Sequence, residues 1–185
     1  MRVSQPQPVP STGRVIVITG AMAAGKSTVA EMLAHHLPRS VHIRGDSFRR
    51  MIVNGRAEMT LHPTAEARAQ LDLRYDLAAH VALAWAGHGF DAIVQDVIIG
   101  DDLPAFIERL TGVDRFLVVL SPSVSALEWR ERQRDKRSET YMSVGAMDNT
   151  LRNETTRLGY WLDSSAQTPE ETVGDILEHL ERARV

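Results

Sequence analysis

The chain has no cysteine, which excludes disulfides, zinc–thiolate sites and thiol nucleophiles, and suits a reducing cytoplasm. Aromatic residues make up only 5% of it, and no long basic stripe offsets a net charge of −3. A nucleic-acid duplex is therefore not the expected partner. No apolar run approaches the roughly 20 residues of a membrane-spanning helix, and residues 1 to 13 lack the apolar centre of a signal peptide. The expectation is a soluble, cytoplasmic protein with no membrane partner. The opening MRVSQPQPVPSTG is rich in Pro, Gln and Ser and is expected to be a disordered tail over residues 1–13. Residues 14–185 then suffice for a single domain with a substantial core. No pattern specifies an oligomeric state.

What the chain does contain is an alternation of short apolar runs and helical segments. RVIVIT from Arg14 reads as a strand buried on both faces. Further strands are predicted at VHI (41–43), AIVQDVII (92–99), FLVVL (116–120) and YWL (160–162). Between them, KSTVAEMLAHHL puts Val29, Leu33 and Leu37 on one helical stripe. A long helix is predicted over about 64–86, where Leu73, Leu77, Val81 and Trp85 repeat every four residues behind a Thr64 cap. Asp101 and Asp102 are read as caps of the helix LPAFIERL. A further helix follows Ser121–Pro122, and a last one starts with Thr168 as N-cap and Pro169 in its first turn. This alternation predicts a three-layer α/β fold with a five-stranded parallel sheet.

Gly20, Ala21, Met22, Ala23, Ala24, Gly25, Lys26, Ser27 and Thr28 form GAMAAGKST, which satisfies G-x-x-x-x-G-K-[ST] between a buried strand and a helix. Glycines there let backbone N–H groups converge on phosphates at the positive end of a helix. Lys26 is suited to neutralise β- and γ-phosphate oxygens, and the Ser27 hydroxyl to ligate magnesium. The chain has no N-K-x-D, and DVIIG (96–100) misses the D-x-x-G spacing, so a regulatory GTPase is not expected.

Asp46 follows the second predicted strand, at the rim where open α/β sheets bind ligands. Three roles suit it: taking a proton from an acceptor hydroxyl, holding the water shell of magnesium, or capping the helix SFRRMI. Arg49 and Arg50 follow within one turn, and one of them is suited to an anionic substrate or phosphate. Asp96 ends a buried strand where an outer magnesium ligand is expected near Ser27. In WRERQRDKR, Arg130 and Arg134 share a helical face and Arg137 comes a turn later. Arginines so placed can stack on a base and close over a transferring phosphoryl group; a solvated, salt-bridged helix is the alternative.

Together, GAMAAGKS, the Asp46 that ends VHIRGD, AIVQDVIIGDD and RERQRDKR resemble the chloramphenicol phosphotransferase-like branch of P-loop kinases. That branch is related to zeta-toxin and to gluconate and shikimate kinases. LDSSAQTPEE is similar to the last strand and helix start of these kinases, where backbone touches adenine. The resemblance implies ATP as donor, magnesium, and a sheet ordered 2-3-1-4-5. It also implies Asp46 as candidate general base, Arg130 near the adenine, and Arg134 and Arg137 on a lid. Residues 53–72 carry no family-specific match; His62 lies there, either as a polar contact to substrate or as part of a turn. The expected function is ATP- and magnesium-dependent transfer of the γ-phosphate to a hydroxyl of a small molecule, with an antibiotic among the candidate acceptors. The alternatives are a polynucleotide or RNA-end kinase, and a nucleotide-binding regulator without transfer.

Overall fold

Five strands lie side by side, all parallel, in the order β2-β3-β1-β4-β5. The computed structural model describes residues 12–60, 62–133 and 143–185; most of the predicted N-terminal tail lies outside them. β1 (Arg14–Gly20) leads into α1 (Lys26–His36), and β2 (Ser40–Arg44) into α2 (Gly45–Arg50) and the long α3 (Ala65–Gly87). β3 (Asp91–Gln95), α4 (Asp102–Glu108) and β4 (Asp114–Leu120) follow. After them come α5 (Val124–Arg132), α6 (Val144–Asn153), β5 (Tyr160–Leu162) and α7 (Pro169–Glu178). Helices cover both faces of the sheet, as parallel crossovers require.

The central strands are apolar on both faces because both are covered. Val15 to Ile18 and Phe116 to Leu120 are entirely buried. α1 buries Val29 and Leu33, and Leu37 packs partly against the same core. Thr64 caps α3 by accepting from the Ala67 N–H at 3.1 Å. Thr168 and Glu171 make a reciprocal capping box on α7, with Pro169 in the first turn.

Three expectations are corrected, and one helix is added. The third strand ends at Gln95 rather than 99, because the ladder is replaced by one side chain. The Thr19 hydroxyl donates to the Ile98 carbonyl at 2.8 Å and accepts from the Ile98 N–H at 2.9 Å, fixing Ile98 beside β1 without strand pairing. The face that α3 buries is Tyr75, Ala78, Ala79, Ala82 and Ala86, while Leu73, Leu77 and Trp85 are exposed. A four-residue repeat advances about 400° in an α-helix and so winds around it; the small alanines let the helix lie close to the sheet. Neither Asp101 nor Asp102 caps α4 with its side chain; the Asp102 carboxylate binds Arg68 instead. Finally, α6 was not read from the sequence, although Val144, Met147 and Leu151 line one face behind a Ser143 cap.

Candidate active site

A cleft of about 1680 Å³ runs along the carboxyl ends of the strands, from the glycine loop to the α2–α3 wall. The loop is shaped at Gly25, whose φ of +93° lies in the left-handed region that favours glycine over residues with a Cβ. It turns the chain into α1 so that the first N–H groups of the helix point into the cleft. Lys26 is buried, and its Nζ donates to the Ala21 carbonyl at 2.8 Å, holding the ammonium over the loop. The Ser27 hydroxyl donates to Gln95 Oε1 at 3.0 Å, so two neutral oxygens meet at the end of β3. Met22, Ala23, Ala24, Gly25, Lys26, Ser27 and Thr28 all line the cleft.

At the glycine-loop end of the cleft Arg130, in the last turn of α5, reaches across to the loop. Its guanidinium donates to the Ala24 carbonyl at 3.3 Å and to the Ser164 carbonyl at 2.7 Å. Trp129 is exposed beside it and also lines the cleft. The facing loop is shaped by Asp163, which accepts from the Ser165 hydroxyl and N–H and is held below the usual carboxylate range by those bonds. Arg134 and Arg137 lie outside the described residues.

On the other side, β2 ends at Arg44 and α2 begins at Gly45, so Asp46 falls in the first helical turn rather than at the cap. Its carboxylate accepts from Arg50 one turn later, and Arg49 binds Glu58. All four side chains line the cleft. His62 is exposed and is not among the lining residues. The far wall belongs to α3. Arg68 bridges Asp72 and Asp102, donating to both carboxylates. These bonds raise the Arg68 pKa further and hold Asp72 below the usual carboxylate range. Arg74 forms a two-pronged pair with Asp96, its Nε 2.7 Å from Oδ2 and its Nη2 on Oδ1.

Magnesium takes few protein ligands when phosphates supply the rest. Among the described residues no group of three or more His, Cys, Asp or Glu is arranged to hold a metal ion. The Ser27 hydroxyl at the mouth of the loop fits an ion carried in on nucleotide phosphates; Asp96 is engaged by Arg74.

The sequence model of chloramphenicol phosphotransferase-like proteins matches residues 13–181. The chain belongs to the chloramphenicol phosphotransferase-like family. No curated protein matches it in sequence. The APS kinase of Mycobacterium tuberculosis, solved with AMPPNP and APS, is 20% identical with a TM-score of 0.68, over 93% of this chain and 99% of that one. A sugar kinase from Janibacter sp. HTCC2649 is 19% identical, TM-score 0.65, covering 92% and 96%. A gluconokinase from Sinorhizobium meliloti 1021 is 22% identical, TM-score 0.62, covering 93% of each chain. These likenesses share the fold, and with the family match they make the protein a P-loop kinase. Among the described residues no helix is long and apolar enough to cross a membrane.

Within this chloramphenicol phosphotransferase-like kinase, the loop and rim residues expected from sequence line the cleft except Gly20, Ala21 and His62, and the α3 wall adds Arg68 and Arg74. Arg68 and Arg74 were passed over because ordinary helical arginines look the same in sequence. The available signal was Asp72, four residues after Arg68 on the same helix; Asp96 and Asp102 come within reach only through the fold.

Proposed function

We propose that the protein transfers the γ-phosphate of ATP, with magnesium, to a hydroxyl group of a small molecule. The observation that carries this reading is the continuity of the cleft, which joins the phosphate loop to Asp46 and the α3 wall. A switch or motor needs no such second compartment beside its nucleotide. In the reaction the acceptor oxygen bonds to the γ-phosphorus, the bond between that phosphorus and the β–γ bridging oxygen breaks, and ADP leaves. The hydroxyl proton passes to the Asp46 carboxylate, which gives up its Arg50 partner when the acceptor arrives. Magnesium would draw charge from the phosphates, with Ser27 as its protein ligand. Lys26 holds the β- and γ-oxygens, while Arg130 closes the base end of the site. Arg134 and Arg137 are proposed to complete the closure that excludes water from the transfer. Arg49 and Arg50 meet the acceptor at the rim.

An antibiotic alcohol of the chloramphenicol type is one acceptor of this class. Dependence on ATP suits a cytoplasmic location. Two variants test the reading. Lys26→Ala abolishes transfer while unfolding as the wild type does. Asp46→Asn lowers kcat by about 100-fold or more and leaves the Kd for ATP within about threefold, a range set by the exposure of Asp46 away from the loop. Normal turnover by Asp46→Asn removes the residue from the proton-accepting role.

A further inference from the structure

Asp96 stands just beyond β3, at the rim where a carboxylate commonly serves the magnesium ion. Its surroundings assign it elsewhere. The carboxylate is 3% exposed as a residue, and both of its oxygens are engaged. Oδ2 accepts from Arg74 Nε at 2.7 Å, while Oδ1 accepts from Arg74 Nη2 and from the Val97 N–H, the latter at 2.7 Å. Against Oδ2 lies the backbone of Gly45, so close that a Cβ there would stand 1.9 Å away. A metal-bound water would have to displace a buried guanidinium or the start of α2.

Strand geometry explains the arrangement. Successive side chains along a strand point to opposite faces, and Gln95 points toward α1, where its Oε1 meets the Ser27 hydroxyl at 3.0 Å. Asp96, one residue past the strand and still bonded through its N–H to the Ile18 carbonyl at 3.4 Å, continues this alternation to the face covered by α2 and α3. Arg74 reaches it from α3, 22 residues earlier in the chain, with a side chain only 15% exposed. A guanidinium so deeply placed needs a counter-ion, and the two-pronged pair fixes its plane. Arg74 and Tyr75 both line the acceptor half of the cleft, and the Tyr75 hydroxyl donates to the Val97 carbonyl at 3.0 Å.

We propose that Asp96 is a positioning residue for Arg74, whose guanidinium it holds at the acceptor wall, and that Gln95, not Asp96, lies with Ser27 on the metal side. This assignment rests on the reading of the cleft as an ATP–magnesium site. No covalent step is added to the transfer.

The metal arm of the test measures binding of a fluorescent ATP analogue while magnesium is titrated. Ser27→Ala raises the half-saturating magnesium concentration at least tenfold, and Asp96→Asn leaves it within twofold of wild type. A tenfold rise in Asp96→Asn overturns the proposal. Because Asp96→Asn leaves Arg74 without its counter-ion and can unfold, the neutral pair Arg74→Gln with Asp96→Asn is measured alongside, with the same unchanged magnesium requirement expected. The acceptor arm uses γ-labelled ATP and a fractionated small-molecule extract at serial dilution. Arg74→Lys and Asp96→Asn each shift the dilution for half-maximal labelling at least fivefold, and the double variant shifts it no further. Acceptor-independent hydrolysis of ATP stays within threefold of wild type in all three. Additive shifts, or a loss of hydrolysis equal to the loss of transfer, overturn the proposal. Unchanged nucleotide binding in Lys26→Ala would instead bring down the nucleotide reading and this assignment with it.

Discussion

Replacing Gly45 with Ala tests the packing that underlies the acceptor wall. The added Cβ would lie 1.9 Å from Asp96 Oδ2, 2.5 Å from its Cγ and 3.0 Å from its Cβ, well inside van der Waals contact, so something has to move. Either the start of α2 lifts from the sheet, or Asp96 swings away and weakens its bond to Arg74. Overpacking alone costs about 1–3 kcal/mol, and complete loss of a buried pair about 3–5 kcal/mol. Gly45 is the first residue of α2, and alanine's better helix propensity returns up to about 1 kcal/mol. The balance is a destabilisation of about 2–3 kcal/mol, equivalent to a Tm lower by about 4–12 °C for a chain of this size. Urea unfolding at neutral pH measures it, with Gly174→Ala as the contrast. Gly174 lies within α7 with open space where its Cβ would be, so alanine there stabilises by about 0.5–1 kcal/mol. If Gly45→Ala unfolds within about 0.5 kcal/mol of wild type, a surface-like result, the close approach of Gly45 to Asp96 is not a constraint on the fold.

Acid should destabilise the protein. Hydrogen bonds from Arg68 hold Asp72 low, those from Ser165 hold Asp163 low, and those from His42 and Arg44 hold Glu31 low. A carboxylate depressed by folding gives stability above its unfolded value of about 4 and loses it as pH falls through the folded value. The urea midpoint is therefore level near neutrality and falls below about pH 4, less steeply in Asp72→Asn; greater stability in acid than at neutrality would contradict this. Thr168→Ala removes half of the α7 capping box and should cost about 1 kcal/mol in the same assay, and no loss would mean that the box is not stabilising. Lys26→Ala should lower affinity for ATP by at least about tenfold, equal to about 1.4 kcal/mol, as read by calorimetry; wild-type affinity would contradict its place over the phosphates.

The strands and the loop were legible because each rests on a local signal, whereas the order 2-3-1-4-5 followed only from the family resemblance. Val15 to Ile18 are apolar on both faces, which announces a buried parallel strand, and Gly20 to Thr28 carry a fixed pattern set by phosphate geometry. The wall of the acceptor half was not legible, for two physical reasons. Arg68 pairs with Asp102 and Arg74 with Asp96, carboxylates outside α3, and pairing between elements leaves no trace in local spacing. The α3 register was misread because the four-residue repeat of Leu73, Leu77 and Trp85 outweighed the alanines, whose small size is what lets α3 lie close to the sheet. The end of β3 is not legible because Thr19, on β1 and 79 residues earlier in the chain, holds Ile98 with its hydroxyl.

The most direct test of the central claim is label transfer. The protein is incubated with magnesium, γ-labelled ATP and fractions of a small-molecule extract, with chloramphenicol as one defined acceptor, and the products are separated. Transfer to a hydroxyl predicts a new labelled species in particular fractions, formed with stoichiometric ADP and absent with Lys26→Ala. Release of label only as inorganic phosphate in every fraction, while ATP binds tightly, would contradict the account.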